Sequence, residues 1–317
     1  MRNVTDAGIP SENVRQSFMD ALLEAARQDP DIIALTSDAT GSAALTNYVA
    51  ALPDQFVECG IAEQDMVGIA AGLASFSKRP FVCGPAAFLA ARSLEQVKVD
   101  VAYSNKNVKL IGVSGGISYG ALGESHYSVQ DFAVMRAIAN ISVLCPADAM
   151  QAKKLAHMLA DFDGPVYLRM GRGAVPAFYE ETDVFQFGKA HLCREGSDVT
   201  IIAVGEQLFP ALVAAETLSK EGIEARVLDM FTIKPLDVEA VLRAARETGA
   251  IVCTEEHSIN GGLGSAVAQV TAESCPVRVK CVALPNEVLL CGSSAEMKAH
   301  YGLDAAGIAQ AVREVVK

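Results

Sequence analysis

The sequence predicts an α/β protein of two domains, each a mostly parallel sheet flanked by helices. Short apolar runs of strand length alternate with helical patterns in both halves of the chain, which is typical of parallel sheets covered by helices. The length of 317 residues suits two ordinary domains. Residues 171–183 contain Gly, Pro and charges without any period. We therefore predict domains over residues 1–175 and 186–317, joined by a linker over 176–185.

The first block of alternation predicts six strands and five helices. Each strand is a short apolar run bounded by turn residues, and each helix has apolar residues at helical spacing. The predicted strands are residues 32–36, 56–59, 80–83, 109–113, 142–145 and 166–169. The predicted helices are residues 12–28, 63–76, 87–103, 128–138 and 147–161.

The second block repeats the alternation and ends in helices. Its predicted strands are residues 199–204, 225–229, 250–254 and 277–282. Its predicted helices are residues 206–221, 237–247, a segment after Gly264, and residues 294–301 and 305–316.

The composition argues against several kinds of partner. The 26 basic and 38 acidic side chains give a net charge of −12, whereas nucleic acid or an anionic membrane surface needs clustered Lys and Arg. No apolar run approaches the ~20 residues of a membrane-spanning helix. The first residues lack the apolar core of a signal peptide, so we expect a cytoplasmic protein.

Eight cysteines are scattered along the chain without a C-x-x-C pair. This spacing fits neither a zinc site nor the disulfide framework of a small secreted domain. Most lie in or beside apolar runs, where a free Cys acts as a small apolar residue. We predict no metal or redox site on this chain.

Glu63 lies in the first turn of a predicted helix made of small and apolar residues, including Gly68 and Gly72. Such a helix lets a second backbone approach closely. A carboxylate at the edge of this dry interface loses solvation and can share a proton with a bound base. Alternatively, Glu63 only complements the positive end of the helix dipole. The spacing alone leaves both interpretations open.

Three further residues follow predicted strands, where open α/β sheets place their ligand crevice. His126, in a glycine-rich loop, can bind a substrate oxygen or be an ordinary loop histidine. Phe88 can stack on a flat heterocycle or belong to the core. Arg172, between glycines, suits an oxyanion or a salt bridge at the domain junction. Arg92 shares the helical face of Phe88 and suits an ion pair.

Together and in this order, these segments resemble the transketolase family of thiamine-diphosphate enzymes. The resemblance is to the family's pyrimidine-binding domain and C-terminal domain, and it runs from Asn13 to the end of the chain. The motifs that carry it are Gly60-Ile-Ala-Glu63-Gln, Ala87-Phe88 with Arg92-Ser-Leu-Glu-Gln96, Gly123-Glu-Ser-His126, Val143-Leu-Cys-Pro146-Ala-Asp148, Asp229-Met-Phe-Thr-Ile-Lys-Pro-Leu-Asp237, and Thr254-Glu-Glu-His257 with Gly261-Gly262-Leu-Gly264.

The resemblance implies roles for these residues. Glu63 would bond the cofactor's aminopyrimidine and favour its imino tautomer, which then takes the proton of the thiazolium carbon. Phe88 would stack on the pyrimidine, and we place Arg92 with it in the cofactor site. His126 would lie near the sugar hydroxyls as a catalytic and substrate-binding residue. The positions that resemble those holding a sugar phosphate are Arg15, Ser42 and Arg172.

The family's diphosphate-binding motif, G-D-G, is absent, since the nearest Asp-Gly pair, Asp163-Gly164, follows Phe. The resemblance therefore implies one subunit of a split transketolase. Its partner, an N-terminal subunit, would bind Mg²⁺ and the diphosphate of thiamine diphosphate. Each active site would lie between the two kinds of chain, in a dimer of heterodimers.

Four positions depart from the family pattern. Ala121-Leu122 replaces Glu-Asp, Tyr127 follows the histidine, and Ser114 replaces another common histidine. An acceptor carboxylate is lost at Leu122, which would leave a donor hydroxyl unpaired. We therefore expect a specialised ketose donor, such as a deoxy, branched or sulfonated sugar, rather than xylulose phosphate.

The favoured function is a transketolase subunit that transfers a two-carbon ketol unit from an anionic ketose to an aldose. The β subunit of a 2-oxo-acid dehydrogenase has the same architecture, but the Gly-Glu-Ser-His126 motif and Arg172 suit sugar phosphates. A regulatory subunit that keeps the fold without activity is a third hypothesis.

Overall fold

The computed structural model of the protein describes residues 1–2, 4 and 8–316. Within these residues the first domain contains eight strands, β1 (Ser11–Asn13), β2 (Ile32–Thr36), β3 (Phe56–Glu58), β4 (Arg79–Pro85), β5 (Lys109–Val113), β6 (Ser142–Leu144), β7 (Val166–Arg169) and β8 (Ala174–Pro176). Its helices are α1 (Val14–Ala26), α2 (Thr46–Ala51), α3 (Glu63–Ser75), α4 (Ala86–Ala91), α5 (Leu94–Gln96), α6 (Asp131–Ala137) and α7 (Ala149–Asp161).

Up to residue 316, the second part of the chain adds six strands and five helices. The strands are β9 (His191–Arg194), β10 (Val199–Ala203), β11 (Ala225–Asp229), β12 (Thr232–Lys234), β13 (Ala250–Ser258) and β14 (Arg278–Leu284). The helices are α8 (Leu208–Ser219), α9 (Val238–Thr248), α10 (Leu263–Ser274), α11 (Ser294–His300) and α12 (Ala305–Val315).

Two sheets form the centres of the two domains. The first has the strand order β12-β6-β7-β5-β4-β2-β3 and is parallel except for β12. The second has the order β14-β13-β10-β11-β9 and is parallel except for β9. The central strands β2, β5, β7 and β10 are buried along their whole length, as expected where helices cover both faces. The predicted fold class is confirmed.

Strand β12 ties the two domains together. It follows β11 of the second sheet in the chain, yet it pairs antiparallel with β6 at the edge of the first sheet. The sequence did not predict it, because three residues show no periodicity. The domain bounds 1–175 and 186–317 stay a prediction.

Most element predictions agree with the structure, and four strands match residue for residue (β2, β5, β7 and β11). The predicted helix over 87–103 is instead divided into α4, α5 and a π-helix over Val97–Tyr103. The break falls at Ser93, whose buried hydroxyl donates to the carbonyl oxygen of Leu89 at 2.9 Å. Such back-bonding competes with regular helix geometry.

A buried polar cluster also joins the domains. Arg169, at the end of β7, donates to Asp131 at 3.0 Å and to the backbone oxygen of Glu256 in β13 at 2.9 Å. The Tyr167 hydroxyl donates to the second oxygen of Asp131 at 2.7 Å. Because Arg169 and Asp131 are buried, this cluster holds the first sheet against the second domain. Within the described ranges, no helix is both long and apolar enough to cross a membrane.

Candidate active site

The predicted site residues converge at one edge of the first sheet. Ser42 follows β2, Glu63 follows β3, Phe88 follows β4, His126 follows β5 and Arg172 follows β7. These strands are mutually parallel, so their carboxyl ends meet at the same edge. The sheet therefore brings together side chains that are up to 130 residues apart in the chain (172 − 42 = 130).

Glu63 is the first residue of α3 and is only 2% exposed. Its Oε2 accepts a hydrogen bond from Arg92 Nη1 at 2.7 Å. The Arg92 side chain itself is 46% exposed. The buried Glu63 carboxylate is thus bonded to an arginine whose side chain is partly in contact with solvent.

Arg92 also contacts Phe88, because both lie on one face at the end of α4. The guanidinium carbon is 4.5 Å from the centre of the Phe88 ring. The Phe88 ring in turn meets the ring of His126 edge to face, with 5.5 Å between ring centres. His126 Nδ1 is 2.9 Å from the hydroxyl of Ser125. Glu63, Arg92, Phe88 and His126 therefore form a continuous line of contacts.

Tyr119 extends this line, and the sequence reasoning did not identify it. Its ring centre is 5.3 Å from that of His126 and 4.9 Å from the guanidinium carbon of Arg172. The only signal in the sequence was an aromatic residue within the glycine-rich loop that contains His126. Tyr119 thus connects the two ends of the candidate site.

Arg15 and Arg172 lie side by side because β1 pairs with β8, with Asn13 opposite Ala174. Arg15 Nη2 donates to the backbone oxygen of Arg172 at 3.0 Å, and Nη1 donates to that of Ser42. Burial, and then the charge of Arg172, lower the pKa of Arg15. Arg15 Nε is buried without a partner among the described residues. This pair of cations makes the end of the site electropositive, which suits an anion.

A cavity of about 540 Å³ opens beside the two arginines, and residues of the second domain line its far wall. Lys298 of α11 lies there and bonds Glu206 at 2.8 Å and Glu256 at 2.9 Å. Burial alone would lower the pKa of Lys298, but the two carboxylates outweigh it and raise the pKa above its ordinary value. Sequence reasoning missed Lys298 and Glu206, because nothing local marks them as neighbours of Arg172.

The second domain also shapes the loop before His126. Glu256 Oε1 accepts from the backbone N–H of Ile117 at 2.8 Å. Gly116 next to it has a φ of +62°, and a β-carbon there would collide with the Glu256 carboxylate. A side chain at this position would therefore be strained and would have to displace the Glu256 carboxylate from Ile117.

The four residues that depart from the family pattern differ from one another in burial and in hydrogen bonding. The Tyr127 hydroxyl is turned toward the second domain and has two backbone acceptors within reach of its single proton, the oxygens of Gly120 at 2.6 Å and of Leu290 at 3.1 Å. Ser114 is buried, and its hydroxyl has no partner in the described part of the chain. Ala121 and Leu122 are exposed on a short 3-10 helix over Gly120–Leu122, with Leu122 54% exposed.

Over the same described residues, no group of three or more His, Cys, Asp and Glu side chains is arranged to hold a metal ion. The candidate site consists of the buried Glu63 carboxylate, three rings in edge-to-face contact and an arginine at each end of this line of contacts. These side chains suit a flat aromatic group at one end and an anion at the other.

The fold and this site define a class of protein: a pair of α/β domains with a ligand crevice at their junction. The chain belongs to the transketolase family. Residues 11–177 match the transketolase pyrimidine-binding domain, and residues 188–308 match the transketolase C-terminal domain. The predicted family is thus confirmed.

Three of the similar proteins are about as long as this chain. An apulose-4-phosphate transketolase subunit of Phocaeicola vulgatus is 54% identical, over 96% of this chain and 97% of that protein. The 6-deoxy-6-sulfo-D-fructose transketolase subunit SqwH of Clostridium sp. is 40% identical, over 96% and 94%. A solved split-gene transketolase, described as an inactive β4 tetramer, is 38% identical with a TM-score of 0.89, over 96% and 98%.

These similarities decide between the predicted functions. Both domain matches and the named subunits favour a split transketolase over the β subunit of a 2-oxo-acid dehydrogenase. The predicted transketolase function, as a subunit that works with a partner, is confirmed.

Proposed function

We propose that this chain binds the aminopyrimidine of thiamine diphosphate and the anionic end of a specialised ketose. The diphosphate and Mg²⁺ are held by an N-terminal partner subunit, and two such pairs form a dimer of heterodimers in the cytoplasm. The observation that carries this proposal is the line of contacts from buried Glu63 to the paired arginines.

The residues at the Glu63 end fit the cofactor. A carboxylate that is 2% exposed needs a hydrogen-bond donor, and the exposed Arg92 supplies one that can be exchanged for another. The ring of Phe88 offers a flat face beside it. Glu63 would hold a proton at the pyrimidine ring, and Phe88 would orient that ring. When bound, thiamine diphosphate supplies a carbon nucleophile that carries the two-carbon unit.

The residues at the other end fit an anionic donor. Arg15 and Arg172 are adjacent, and neither forms an ion pair with a carboxylate among the described residues. A phosphate or sulfonate there would relieve the repulsion between the two guanidinium groups and meet Arg15 Nε. His126, midway between the two ends, would bind a hydroxyl of the sugar.

A specialised donor is supported by Leu122 and by the named relatives. Exposed Leu122 and Ala121 offer no carboxylate to a sugar hydroxyl. The relatives are named for apulose 4-phosphate and for 6-deoxy-6-sulfo-D-fructose. We propose a donor of this class, with its anion at Arg172 in the cavity that Lys298 lines and its hydroxyls toward His126.

The first experiment assays the chain with and without its partner, in the presence of thiamine diphosphate and Mg²⁺. We expect activity only in the mixture, and a loss of roughly 10³-fold in kcat for Glu63→Gln. The matched control is Asp65→Asn, because Asp65 is exposed in the same first turn of α3. Equal losses in both variants would support the helix-dipole interpretation instead. Activity of the chain alone would contradict the split site.

The second experiment compares donors in the same mixture. The panel contains apulose 4-phosphate, 6-deoxy-6-sulfofructose and xylulose 5-phosphate. We expect the branched or the sulfonated sugar to give the highest kcat/KM, because Leu122 cannot pair with a hydroxyl. Xylulose 5-phosphate as the best donor would refute a specialised donor. No turnover with any donor, despite cofactor binding, would support a regulatory role without activity.

A further inference from the structure

The guanidinium of Arg92 makes two contacts at once within the candidate site. It donates to Glu63 Oε2 at 2.7 Å, and its carbon lies 4.5 Å from the centre of the Phe88 ring. A donor to Glu63 and a flat partner for Phe88 are the same two features that the proposed function requires of the cofactor's aminopyrimidine. The Arg92 guanidinium is also planar and donates N–H groups, and an aminopyrimidine is likewise planar and has an amino group that donates.

We propose that Arg92 is an internal placeholder for the aminopyrimidine, which neutralises Glu63 before the cofactor binds and releases it afterwards. This inference rests on the proposed function, because that function assigns Glu63 and Phe88 to the pyrimidine. It adds a positioning residue whose main role belongs to the cofactor-free protein.

The burial of Glu63 explains why a placeholder is needed. A carboxylate that is 2% exposed and lacks a partner is costly, so an empty site would destabilise the start of α3. The N-cap residue Ala62 makes no side-chain cap, so nothing else at that turn replaces the missing bond. Arg92 supplies the bond from its own helix end.

The exposure of Arg92 explains how it can leave. Its side chain is 46% exposed, and Glu63 is its one side-chain hydrogen-bond partner over the described ranges. The guanidinium can therefore turn into water, where its charge is solvated, without leaving another buried group unpaired. While Arg92 is bound to Glu63, the pyrimidine cannot bind there. The apparent affinity for the pyrimidine is therefore the intrinsic affinity multiplied by the fraction of chains in which Glu63 is free.

The test combines unfolding of the isolated chain with cofactor binding by the two-subunit complex. Arg92→Met removes the charge and keeps the length of the side chain. In the isolated chain we expect its Tm to fall by roughly 4 °C, because Glu63 loses its partner. Added to Glu63→Gln, the same change should have almost no further effect. Equal Tm losses in both backgrounds would show that Arg92 acts without Glu63 and would overturn the placeholder.

In the complex we expect Arg92→Met to bind thiamine diphosphate about tenfold more tightly, measured by calorimetry with Mg²⁺. Glu63→Gln should bind it more weakly. Arg92→Lys keeps the charge but not the planar face, so its affinity should fall between wild type and Arg92→Met. The matched control is Arg313→Met, which removes an exposed arginine from its pair with Glu221, far from the site in the second domain. It should leave the affinity unchanged.

Weaker binding by Arg92→Met, with normal binding by wild type, would overturn the placeholder alone. It would mean that Arg92 stays with the pyrimidine as a ligand. A wild-type complex that binds no thiamine diphosphate would instead overturn the proposed function, and the placeholder with it.

Discussion

Two arginine–carboxylate pairs in this protein have similar geometry and opposite surroundings. Arg92 reaches Glu63 at 2.7 Å, with 46% of the Arg92 side chain exposed. Arg169 reaches Asp131 at 3.0 Å, with only 6% of the Arg169 side chain exposed. The first pair lies at the candidate active site, and the second lies between the two domains.

The number of other partners separates the two pairs further. Arg169 also bonds the backbone of β13 at 2.9 Å and lies 4.0 Å over the Phe132 ring. Burial, the largest single influence, would lower the pKa of Arg169, but the surrounding acidic groups, Asp131 foremost, together outweigh burial and raise the pKa. A guanidinium and a carboxylate can thus form either a buried contact that holds two domains together or an exposed contact that can be exchanged. Solvent access and the remaining partners decide which one forms.

Asp229 completes the comparison as a buried carboxylate without a cation. Its Oδ2 accepts from Gln151 at 2.7 Å and from the Tyr179 hydroxyl at 2.9 Å. Burial outweighs these neutral donors and raises the pKa of Asp229 to about 7. Unlike Glu63 and Asp131, Asp229 has no arginine beside it in the part of the chain that the structure describes, and burial decides the direction of its pKa.

The largest expected effect on stability comes from losing the interdomain lock, by which we mean the buried ion pair of Asp131 and Arg169. Asp131→Ala leaves a buried guanidinium without its anion and should lower the free energy of unfolding by about 3–5 kcal/mol in urea denaturation. The double variant Asp131→Leu with Arg169→Met removes both charges and should cost less than Asp131→Ala. A loss below about 1 kcal/mol for Asp131→Ala would show that the lock does not stabilise the fold.

The next effect is the pH dependence of stability from Asp229. Its folded pKa is about 7 against an ordinary 3.8, so the folded state binds the extra proton between these values. Stability from this group is therefore present below pH 3.8, is lost as pH rises to 7, and is constant above. For Asp229→Asn relative to wild type, we expect the free energy of unfolding to improve by about 2–3 kcal/mol between pH 5 and pH 8. If the difference in free energy of unfolding between Asp229→Asn and wild type were the same at pH 5 and pH 8, the pKa of Asp229 would not be raised.

A smaller effect is expected at the anion end of the site. Arg172→Met should raise KM for an anionic donor by roughly 30-fold, about 2 kcal/mol, because a charge-assisted hydrogen bond is lost. We expect kcat to change little, because Arg172 holds the end of the donor away from the reacting carbons. Arg313→Met again serves as the control. A fall in kcat at constant KM would place Arg172 at the chemical step.

The smallest effect is expected for Tyr127→Phe. The change removes the hydroxyl that joins Gly120 to Leu290 and should cost about 1 kcal/mol of stability. Tyr103→Phe is the control, because Tyr103 is 84% exposed. Urea denaturation of both variants shows whether this second interdomain contact adds to the stability that the Asp131–Arg169 lock provides. Equal values for the two variants would show that it does not.

Much of the candidate site followed from local sequence, because parallel strands bring their carboxyl ends to one edge. Knowing where β3, β4, β5 and β7 end was enough to expect Glu63, Phe88, His126 and Arg172 near one another. Tyr119 was missed, because an aromatic residue in a loop has no period to mark it. Strand β12 was missed because its partner, β6, lies in the other domain.

The sequence by itself determined the two-domain α/β fold and the family, and it predicted that Glu63, Phe88, His126 and Arg172 lie near one another, because periodicity and motifs are local properties of the chain. Only the tertiary structure decided the partner of each charge. Glu63 pairs with Arg92, Asp131 pairs with Arg169, and Lys298 enters the wall of the cavity beside Arg172. These contacts depend on burial and on pairing between distant segments, and no spacing along the chain encodes either one.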